Sequence, residues 1–308
     1  MSTAYLLILC GGVLLSACVY CFLNRRDTRT IFRAVLTVLM SSALGLIVCK
    51  ALYMITQIDY TLAYGFSETL FTLDPLRCSF YGAAAGACLG AALAGKWTGM
   101  RPLQALNRFA PAGILMAAVA RFGEYFLENK LYGCGRYFDI ETEPFFCRFP
   151  ISIGNEWDEY YLAVFMLEGI CCLAVFALSV FGLKKDRFIR SLFYFCLPQI
   201  LCESLRRMSF VWHEFVKVEQ LLCMLVMEGI LLYYALKTPK TQRNRFLPPI
   251  LGLVAAGIFV AVEFALDKSD LPHLLTYAAM VLGMGLLAFS ETLGWKRASL
   301  DTDAFTKT

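Results

Sequence analysis

Long apolar blocks alternate with short polar connections along almost the whole chain. Nine blocks of 18–26 residues carry few charged side chains: 4–24, 31–56, 78–95, 103–127, 160–183, 188–205, 216–236, 248–266 and 276–295. A helix needs about 20 residues to cross roughly 30 Å of hydrocarbon, and it satisfies its own backbone polar groups there. The ten-residue alternation of a transmembrane β-barrel is missing. The pattern therefore predicts an all-α, polytopic membrane protein with about nine transmembrane helices.

The composition excludes an ordinary soluble domain. The 308 residues are 59% hydrophobic and 17% charged, whereas soluble domains are roughly 45–50% apolar and about 25% charged. A soluble protein of this length could not bury so much apolar surface. The net charge of +4 fits basic loops that face anionic lipid, so nucleic acid is not expected among the partners.

Lysine and arginine are distributed unequally between the two sets of alternating loops. One side carries 17 basic residues and the other about eight. Because basic loops stay in the cytoplasm, we expect the N-terminus outside and the C-terminus in the cytoplasm. The first block has no basic residue before it, so a cleavable signal peptide is not expected.

The long connection 129–159 is acidic and rich in aromatic residues and proline. Connections of this length are usually functional or disordered, and the aromatic content argues against disorder. We therefore predict a small folded head on the outer membrane surface. Cys134 and Cys147 both lie in it, and the sequence leaves open whether they form a disulfide or stay as thiols.

Polar side chains within or beside the apolar blocks are the candidates for function, because charge at membrane depth is costly. The four clusters are Lys50 with Tyr53, Ser79–Gly82, Arg121 with Glu124 and Glu128, and Glu203 with Arg206 and Arg207. The predicted topology places three or four of these cations near the outer half of the bilayer. Since arginine holds phosphate through two parallel hydrogen bonds, the functional interpretation is a cavity for an anionic headgroup.

Structural interpretations of the same clusters stay open. Arg121 and Glu124 are three residues apart, which is the spacing of an ion pair on a helix. The same spacing separates Glu203 from Arg206, whose side chain is also long enough to reach water from a helix end. The small residues at 83–95 are typical of a helix-packing face. Motifs of nucleotide-binding loops, hydrolase nucleophile elbows and zinc proteases are missing.

The order of these motifs resembles the prolipoprotein diacylglyceryl transferase family over about residues 45–229. Gly45–Tyr53 is similar to the family's glycine-rich stretch that ends in a cation and a tyrosine, and Ser79–Gly82 to its Ser-Phe-His-Gly motif. Ala110–Glu124 is similar to its Ala-Pro-Ala element followed by Arg-x-Gly-Asn. The later matches are Glu128 with Gly133, Glu168 with Gly169, Glu203 with Arg206, and Glu219 with Gln220.

The chain departs from the family pattern at several of these positions. Lys50 replaces an arginine, Tyr81 replaces the histidine and Glu124 replaces the asparagine. Gln199 stands where the first arginine of the Arg-x-x-x-Glu-x-x-Arg element is expected. A tyrosine and glutamate expected near Val164 are also missing. The resemblance is thus to a divergent member.

The resemblance implies transfer of diacylglyceryl from phosphatidylglycerol to the lipobox cysteine of prolipoproteins in the bacterial cytoplasmic membrane. It implies no metal and no organic cofactor, and its partners are phosphatidylglycerol, prolipoprotein signal peptides and bilayer lipids. Residues 1–236 are expected to form the transferase-like unit with its head at 129–159, and residues 237–308 a C-terminal helix pair with a cytoplasmic tail.

The resemblance also implies a role for each site residue. Arg121 and Arg206 would hold the phosphate, Glu203 would orient Arg206, and Tyr81 would take the place of the histidine in hydrogen bonding or proton transfer. The implied substrate-binding residues are Lys50, Tyr53, Gly123, Glu124, Glu128, Gly133, Gln199 and Gln220.

Two further interpretations come from other classes of protein. The first is a lipid-binding or accessory membrane protein that has lost catalysis on the same fold, which the substitutions at Tyr81 and Gln199 favour. The second is a transporter of a small anion. Two matching halves with interrupted helices would support a transporter, and the sequence has no such symmetry.

The topology can be tested by labelling single-cysteine variants in intact cells and in inverted vesicles. We expect an impermeant reagent to reach Cys134 or Cys147 from outside, and a cysteine introduced near Lys240 from the cytoplasm only. Labelling of both positions from the same face would contradict the predicted orientation.

Overall fold

The computed structural model describes residues 3–72, 77–127, 133–155, 157–206, 212–213, 216–239, 242, 244–268 and 272–305. The helices in this part are α1 Thr3–Leu23, α2 Thr30–Thr56, α3 Ile58–Tyr64, α4 Phe66–Phe71, α5 Phe80–Trp97, α6 Pro102–Gly123, α7 Val164–Ala177, α8 Arg187–Leu205, α9 Val218–Lys237, α10 Leu247–Lys268 and α11 His273–Phe305. A 3₁₀ turn extends α6 and a π-helical turn extends α7. Eight described helices, α1, α2 and α6–α11, are long and apolar enough to cross a membrane. The predicted all-α polytopic fold is confirmed.

Helix α5 corresponds to the third predicted block, and glycine and alanine make up most of it. Its 18 residues span about 27 Å, and it runs antiparallel to α2 in close contact. A Cβ atom on Gly86 would lie 2.2 Å from the Leu44 carbonyl oxygen, and one on Gly90 2.4 Å from that of Met40. Because glycine permits this approach of two backbones, the stretch at 83–95 includes a helix-packing face.

Three features of the helix prediction were wrong or incomplete. The fifth predicted block began at residue 160, but Tyr160–Leu162 is a strand, β3, and α7 begins at Val164. These three residues include two tyrosines, which favour strands, and they pair with neighbours on both sides. The last helix extends beyond the apolar block 276–295 to Phe305. The block was bounded by hydropathy, and the polar residues that follow it are also helical. The short helices α3 and α4 were not predicted.

The predicted head at 129–159 contributes two strands to a three-stranded antiparallel sheet, whose third strand follows directly after it. Its strands are β1 Tyr137–Phe138, β2 Ser152–Gly154 and β3, with β3 in the centre. Tyr161 of β3 lies opposite Tyr137 on one side and Ile153 on the other. Cys134, Ile153, Tyr161, Ala163 and Phe165 form its buried core. A second, two-stranded sheet pairs β4 Trp212–His213 with β5 Val216–Lys217.

Contacts divide the chain into two compact units. The first contains residues 1–192 and 206–211, and the second contains residues 193–205 and 212–308. In the first unit α6 packs against α1, α5 and α7; in the second α9 packs against α10 and α11. The division of the chain at residue 236 stays a prediction.

Asp27 links three helices at one end of the first unit. Its carboxylate lies in the turn between α1 and α2 and accepts hydrogen bonds from Arg33 of α2 and Arg108 of α6. The bond from Arg108, helped by the amide of Arg29, lowers the pKa of Asp27 to about 2. The carboxylate is therefore ionised at neutral pH, and it ties this turn to α6.

The contact between α2 and α5 can be tested with one added methyl group. We expect Gly86→Ala to reduce stability by about 1–3 kcal/mol, because the new Cβ collides with the backbone of α2. Gly11→Ala in α1 is the matched control, since a Cβ there meets nothing within 4 Å. It should be neutral or stabilise by up to about 1 kcal/mol. Thermal unfolding in detergent would compare them, and equal midpoints would contradict the packing assignment.

Candidate active site

The start of α5 places an aromatic ring against Arg121. Ser79 caps the helix, where its hydroxyl accepts a hydrogen bond of 3.2 Å from the Gly82 amide. The next residue, Phe80, lies with its ring centroid 3.7 Å from Cζ of Arg121, in the range of a cation–π contact. Tyr81 is close enough to interact electrostatically with the same guanidinium. Phe80 and Tyr81 of the Ser79–Gly82 motif therefore lie beside Arg121.

Two arginines and two glutamates of the first unit form a closed ring of alternating charge. Arg121 Nη1 donates to Glu124 Oε1 at 2.6 Å, and Arg121 Nε lies 2.5 Å from Glu168 Oε2. Arg206 donates to both oxygens of Glu168, at 2.9 and 2.6 Å. Arg206 Nη2 also lies 3.5 Å from Glu124 Oε2. We call these four residues the Arg–Glu ring.

The Arg–Glu ring is buried at one end of two candidate spans. Arg121 lies in the last turn of α6 and Glu168 in the second turn of α7, and the four residues are 0–7% exposed. The formal charges sum to zero, which offsets part of the large cost of removing ions from water. The helix ion pair that the spacing of Arg121 and Glu124 predicts does form, but as part of this larger network.

Gly133 lies directly against the Arg–Glu ring. Its φ of +78° belongs to the left-handed region, which glycine adopts at low cost. A Cβ atom at this position would lie 2.4 Å from Oε2 of Glu124 and 3.6 Å from Nη1 of Arg206. The predicted site glycine is therefore next to both ions. Gly123 instead faces α1, where its Cβ would meet Tyr5 at 3.0 Å. Glu128 lies outside the described residues.

Lys50 and Tyr53 are both buried on α2. The ammonium of Lys50 donates to the carbonyl oxygens of Thr72 at 2.5 Å and Arg77 at 3.0 Å. These bonds connect α2 to the segments that follow α4 and precede α5. The observed contacts give Lys50 a structural role, and substrate binding by Lys50 or Tyr53 stays a prediction.

The remaining predicted site residues belong to the second unit. Gln199 and Glu203 are buried on α8, and the Glu203 carbonyl accepts a hydrogen bond from Nζ of Lys217. Gln220, in the first turn of α9, is 5% exposed. The predicted orientation of Arg206 by Glu203 stays a prediction. The carboxylate that holds Arg206 through two hydrogen bonds is that of Glu168.

Glu168 and Phe80 are the site residues whose roles the sequence interpretation missed. The resemblance includes Glu168 as a matching family position without a role, although it is an acid within an apolar block, and such residues are functional candidates by default. Glu168 contacts both arginines only because α6, α7 and the residue after α8 lie together. A local sequence pattern does not show such long-range contacts. Phe80 gave no separate signal, since one aromatic residue among many is ordinary.

An apolar chamber of about 560 Å³ lies between α1, α2, α5 and α6. Arg121 and Glu124 line one end of it, and Tyr20 and Phe109 line the other. From Phe109 to Glu124 the chamber follows α6 for about 22 Å of helix axis. Its walls are mainly apolar. The chamber therefore has the shape for hydrocarbon, with a charged group at one end only.

The cysteines of the head are free thiols in this structure. Burial raises the pKa of Cys134 to about 11, and the nearby Glu124 carboxylate adds to the effect. Desolvation also raises the pKa of Cys147, so both thiols are mainly protonated at neutral pH. Among the described residues, histidine, cysteine and acidic side chains form no group of three that could hold a metal ion.

Fold and site together define a polytopic helical membrane protein with paired arginines beside an apolar chamber. The sequence model of the prolipoprotein diacylglyceryl transferase family matches residues 3–235. The match covers well over half of the 308 residues, and the chain belongs to this family of transferases of lipoprotein biosynthesis. Comparisons with curated proteins and with solved structures gave no match. Helices α10 and α11 lie beyond the matched segment.

The Arg–Glu ring can be tested at the carboxylate that both arginines share. We expect Glu168→Gln to reduce stability by about 3–5 kcal/mol, because it leaves a buried positive charge without compensation. Glu143→Gln is the control, since Glu143 pairs with the exposed Arg136 on the head and should lose no more than about 1 kcal/mol. Thermal unfolding in detergent measures both. A Glu168→Gln variant as stable as the control would contradict the ring as a stabilising unit.

Proposed function

We propose that the protein transfers a diacylglyceryl group from phosphatidylglycerol to the lipobox cysteine of prolipoproteins. The reaction would take place at the outer side of the bacterial cytoplasmic membrane, with the N-terminus outside and the C-terminus inside. The observation that carries the proposal is the position of the Arg–Glu ring at the end of the apolar chamber. Membership of the transferase family supports the type of reaction.

The two ends of the chamber suit the two parts of a phospholipid. Its apolar length accepts an acyl chain, which passes from the hydrocarbon of the bilayer to apolar walls without exposure to water. Arg121 lines the other end, where the phosphate of the same lipid would lie. A planar guanidinium can hold two phosphate oxygens at once. The headgroup would thus be held where the acyl chain leaves the chamber.

Glu124 is the group that the phosphate would displace. It lines the chamber with Arg121, and its contact with Arg206, at 3.5 Å, is the longest in the Arg–Glu ring. A phosphodiester carries one negative charge, as does the carboxylate. Exchange of one for the other therefore leaves the charge around the arginines unchanged. Glu168 would stay in place and hold both guanidinium groups.

The bond changes of the transfer then follow. The cysteine thiol loses its proton, and its sulphur forms a bond to the terminal glycerol carbon of the diacylglyceryl group. The bond from that carbon to the phosphate oxygen breaks, and glycerol phosphate leaves with the electron pair. The leaving phosphate gains negative charge, which Arg121 and Arg206 stabilise where it develops.

The thiol proton needs an acceptor near the phosphate. Tyr81, beside Arg121, takes the position of the family's histidine, although the ordinary pKa of tyrosine, about 10, makes it a weaker partner at neutral pH. The Glu124 carboxylate, once the phosphate has displaced it from Arg121, is a second acceptor. Either residue would accept the proton only when a lipid is bound, because the thiol reacts with that lipid.

A non-catalytic lipid-binding protein is the second candidate function. The specific observations that favour it are Tyr81 and Gln199 at positions where the family has a histidine and an arginine. Such a protein would keep the chamber and the Arg–Glu ring but would not form the thioether. Complementation of cells depleted of their own transferase would separate the two candidates.

Arg121→Lys tests the phosphate contact. Lysine keeps the charge but loses the planar fork, so we expect transfer to a lipobox peptide to fall at least about tenfold, or roughly 1.4 kcal/mol of transition-state stabilisation. Expression and detergent stability should stay near wild type. Arg206→Lys should behave similarly if the two arginines share the headgroup. Arg136→Lys on the exposed head is the control and should transfer normally.

Two results would count against the proposal. Full transfer by Arg121→Lys would show that Arg121 has only a structural role in an ion pair. If the unmodified protein binds phosphatidylglycerol but transfers nothing, the non-catalytic candidate is supported instead.

A further inference from the structure

A recess of about 580 Å³ lies at the turn between α1 and α2. Its charged lining residues are Arg25, Arg26 and Asp27 of the turn and Arg108 of α6. Three positive charges and one negative charge give this lining a formal charge of +2. The Arg–Glu ring, in contrast, contains as many carboxylates as guanidinium groups. The recess therefore attracts anions through its net charge.

The one carboxylate that lines the recess already has partners. Asp27 accepts hydrogen bonds from Arg33 and Arg108, so its charge is offset within the protein. Arg25 and Arg26, by comparison, form no ion pair with any residue that the structure describes. Their guanidinium groups carry several N–H donors each. Both side chains can therefore donate to a ligand in the recess.

Apolar side chains border the same recess. Phe22 and Leu23, the last two residues of α1, line it beside the arginines. Helix α1 is a candidate membrane span, and Phe22 is 66% exposed at its end. Arg25 lies over the Phe22 ring, with Cζ 5.2 Å from the ring centroid, in the range of a cation–π contact. A ligand that carries both a phosphate and a hydrocarbon chain therefore suits the recess better than a soluble anion.

We propose that this recess is a second phosphate site, which binds the headgroup of an anionic phospholipid at the membrane face opposite the Arg–Glu ring. Arg108 and Arg121 lie about 20 Å apart along the axis of α6, so one headgroup cannot occupy both sites. Arg25 and Arg26 would each donate to phosphate oxygens through their planar forks. A zwitterionic headgroup would bring its ammonium group against the excess positive charge. The inference does not depend on the proposed transfer.

Photocrosslinking of the full chain in neutral detergent tests the site. The probe is phosphatidylglycerol with a diazirine on an acyl carbon next to the glycerol, and no prolipoprotein is added, so that nothing is transferred. Mass spectrometry of peptic peptides should find label at the end of α1 and in the turn that follows it. Unlabelled phosphatidylglycerol should compete for this label at least about tenfold better than phosphatidylethanolamine, which is zwitterionic.

Arg26→Gln and Arg29→Gln form a matched pair of variants. Both arginines are exposed in the same turn, but only Arg26 lines the recess. Label in the turn should fall about tenfold in Arg26→Gln, as expected for the loss of a charge-assisted hydrogen bond, and less than about threefold in Arg29→Gln. Arg26→Lys keeps the charge but loses the fork, so its label should lie between wild type and Arg26→Gln. All variants should unfold at the wild-type temperature.

Several outcomes would overturn the inference. An equal loss of label in Arg26→Gln and Arg29→Gln would reduce the effect to the general attraction of a basic surface. Equal competition by the two lipids would contradict selection for a negative headgroup. If inorganic phosphate removes the label as effectively as phosphatidylglycerol at the same concentration, the recess binds a soluble phosphate and not a lipid.

The same experiment separates this inference from the proposed function. Label at the start of α5 and the end of α6 reports a lipid in the chamber, whereas label after α1 reports a lipid in the recess. If only the chamber is labelled, the inference is wrong and the proposed function is unaffected. If only the turn is labelled, the second site is supported and lipid binding in the chamber is contradicted.

Discussion

The structure of the first unit depends on the pairing of charges that lie out of water. Two guanidinium groups in an apolar protein are tolerated only if carboxylates meet them with good geometry. That condition fixes the end of α6, the start of α7, the residue after α8 and the backbone at Gly133 relative to one another. Within this frame the close contact of α2 with α5 brings Phe80 onto Arg121. The apolar chamber lies next to this contact, between α1, α2, α5 and α6.

Three of the departures from the family pattern that the resemblance implies, those at 81, 124 and 199, reduce the positive charge. Glutamate at 124 in place of asparagine adds a negative charge, and glutamine at 199 in place of arginine removes a positive one. Tyr81 also replaces a residue that can become cationic. A site altered in this way attracts an anion less strongly at long range. Such a site suits an anionic ligand that replaces a carboxylate already bound to the arginines. The fraction of sites that hold the ligand would then depend on the free energy needed to move Glu124 away from Arg121.

The long helices and part of the site could be predicted from the sequence, because the bilayer constrains both. Apolar blocks show where helices cross lipid, because the bilayer imposes their length, and isolated charges within or beside them pointed to Arg121, Glu124 and Arg206. Hydropathy assigns β3 to the helix that follows it, because the tyrosine-rich strand is as apolar as α7 and no polar residue separates them. The pairing of Gln220 with Glu263 joins residues 43 positions apart, and no local pattern reports such a contact.

The direct connection between the head and α7 has a mechanical consequence. Only Ala163 separates β3 from α7, and Glu168 lies in the second turn of that helix. Backbone hydrogen bonds join Gly135 to Leu162 and Phe165 to Gly133, so the strand and the backbone at Gly133 move together. A displacement of the sheet would therefore be passed through Ala163 to α7 and to the carboxylate between the two arginines. In the proposed transfer, such a displacement would change the distances between Glu168 and the two arginines that hold the phosphate.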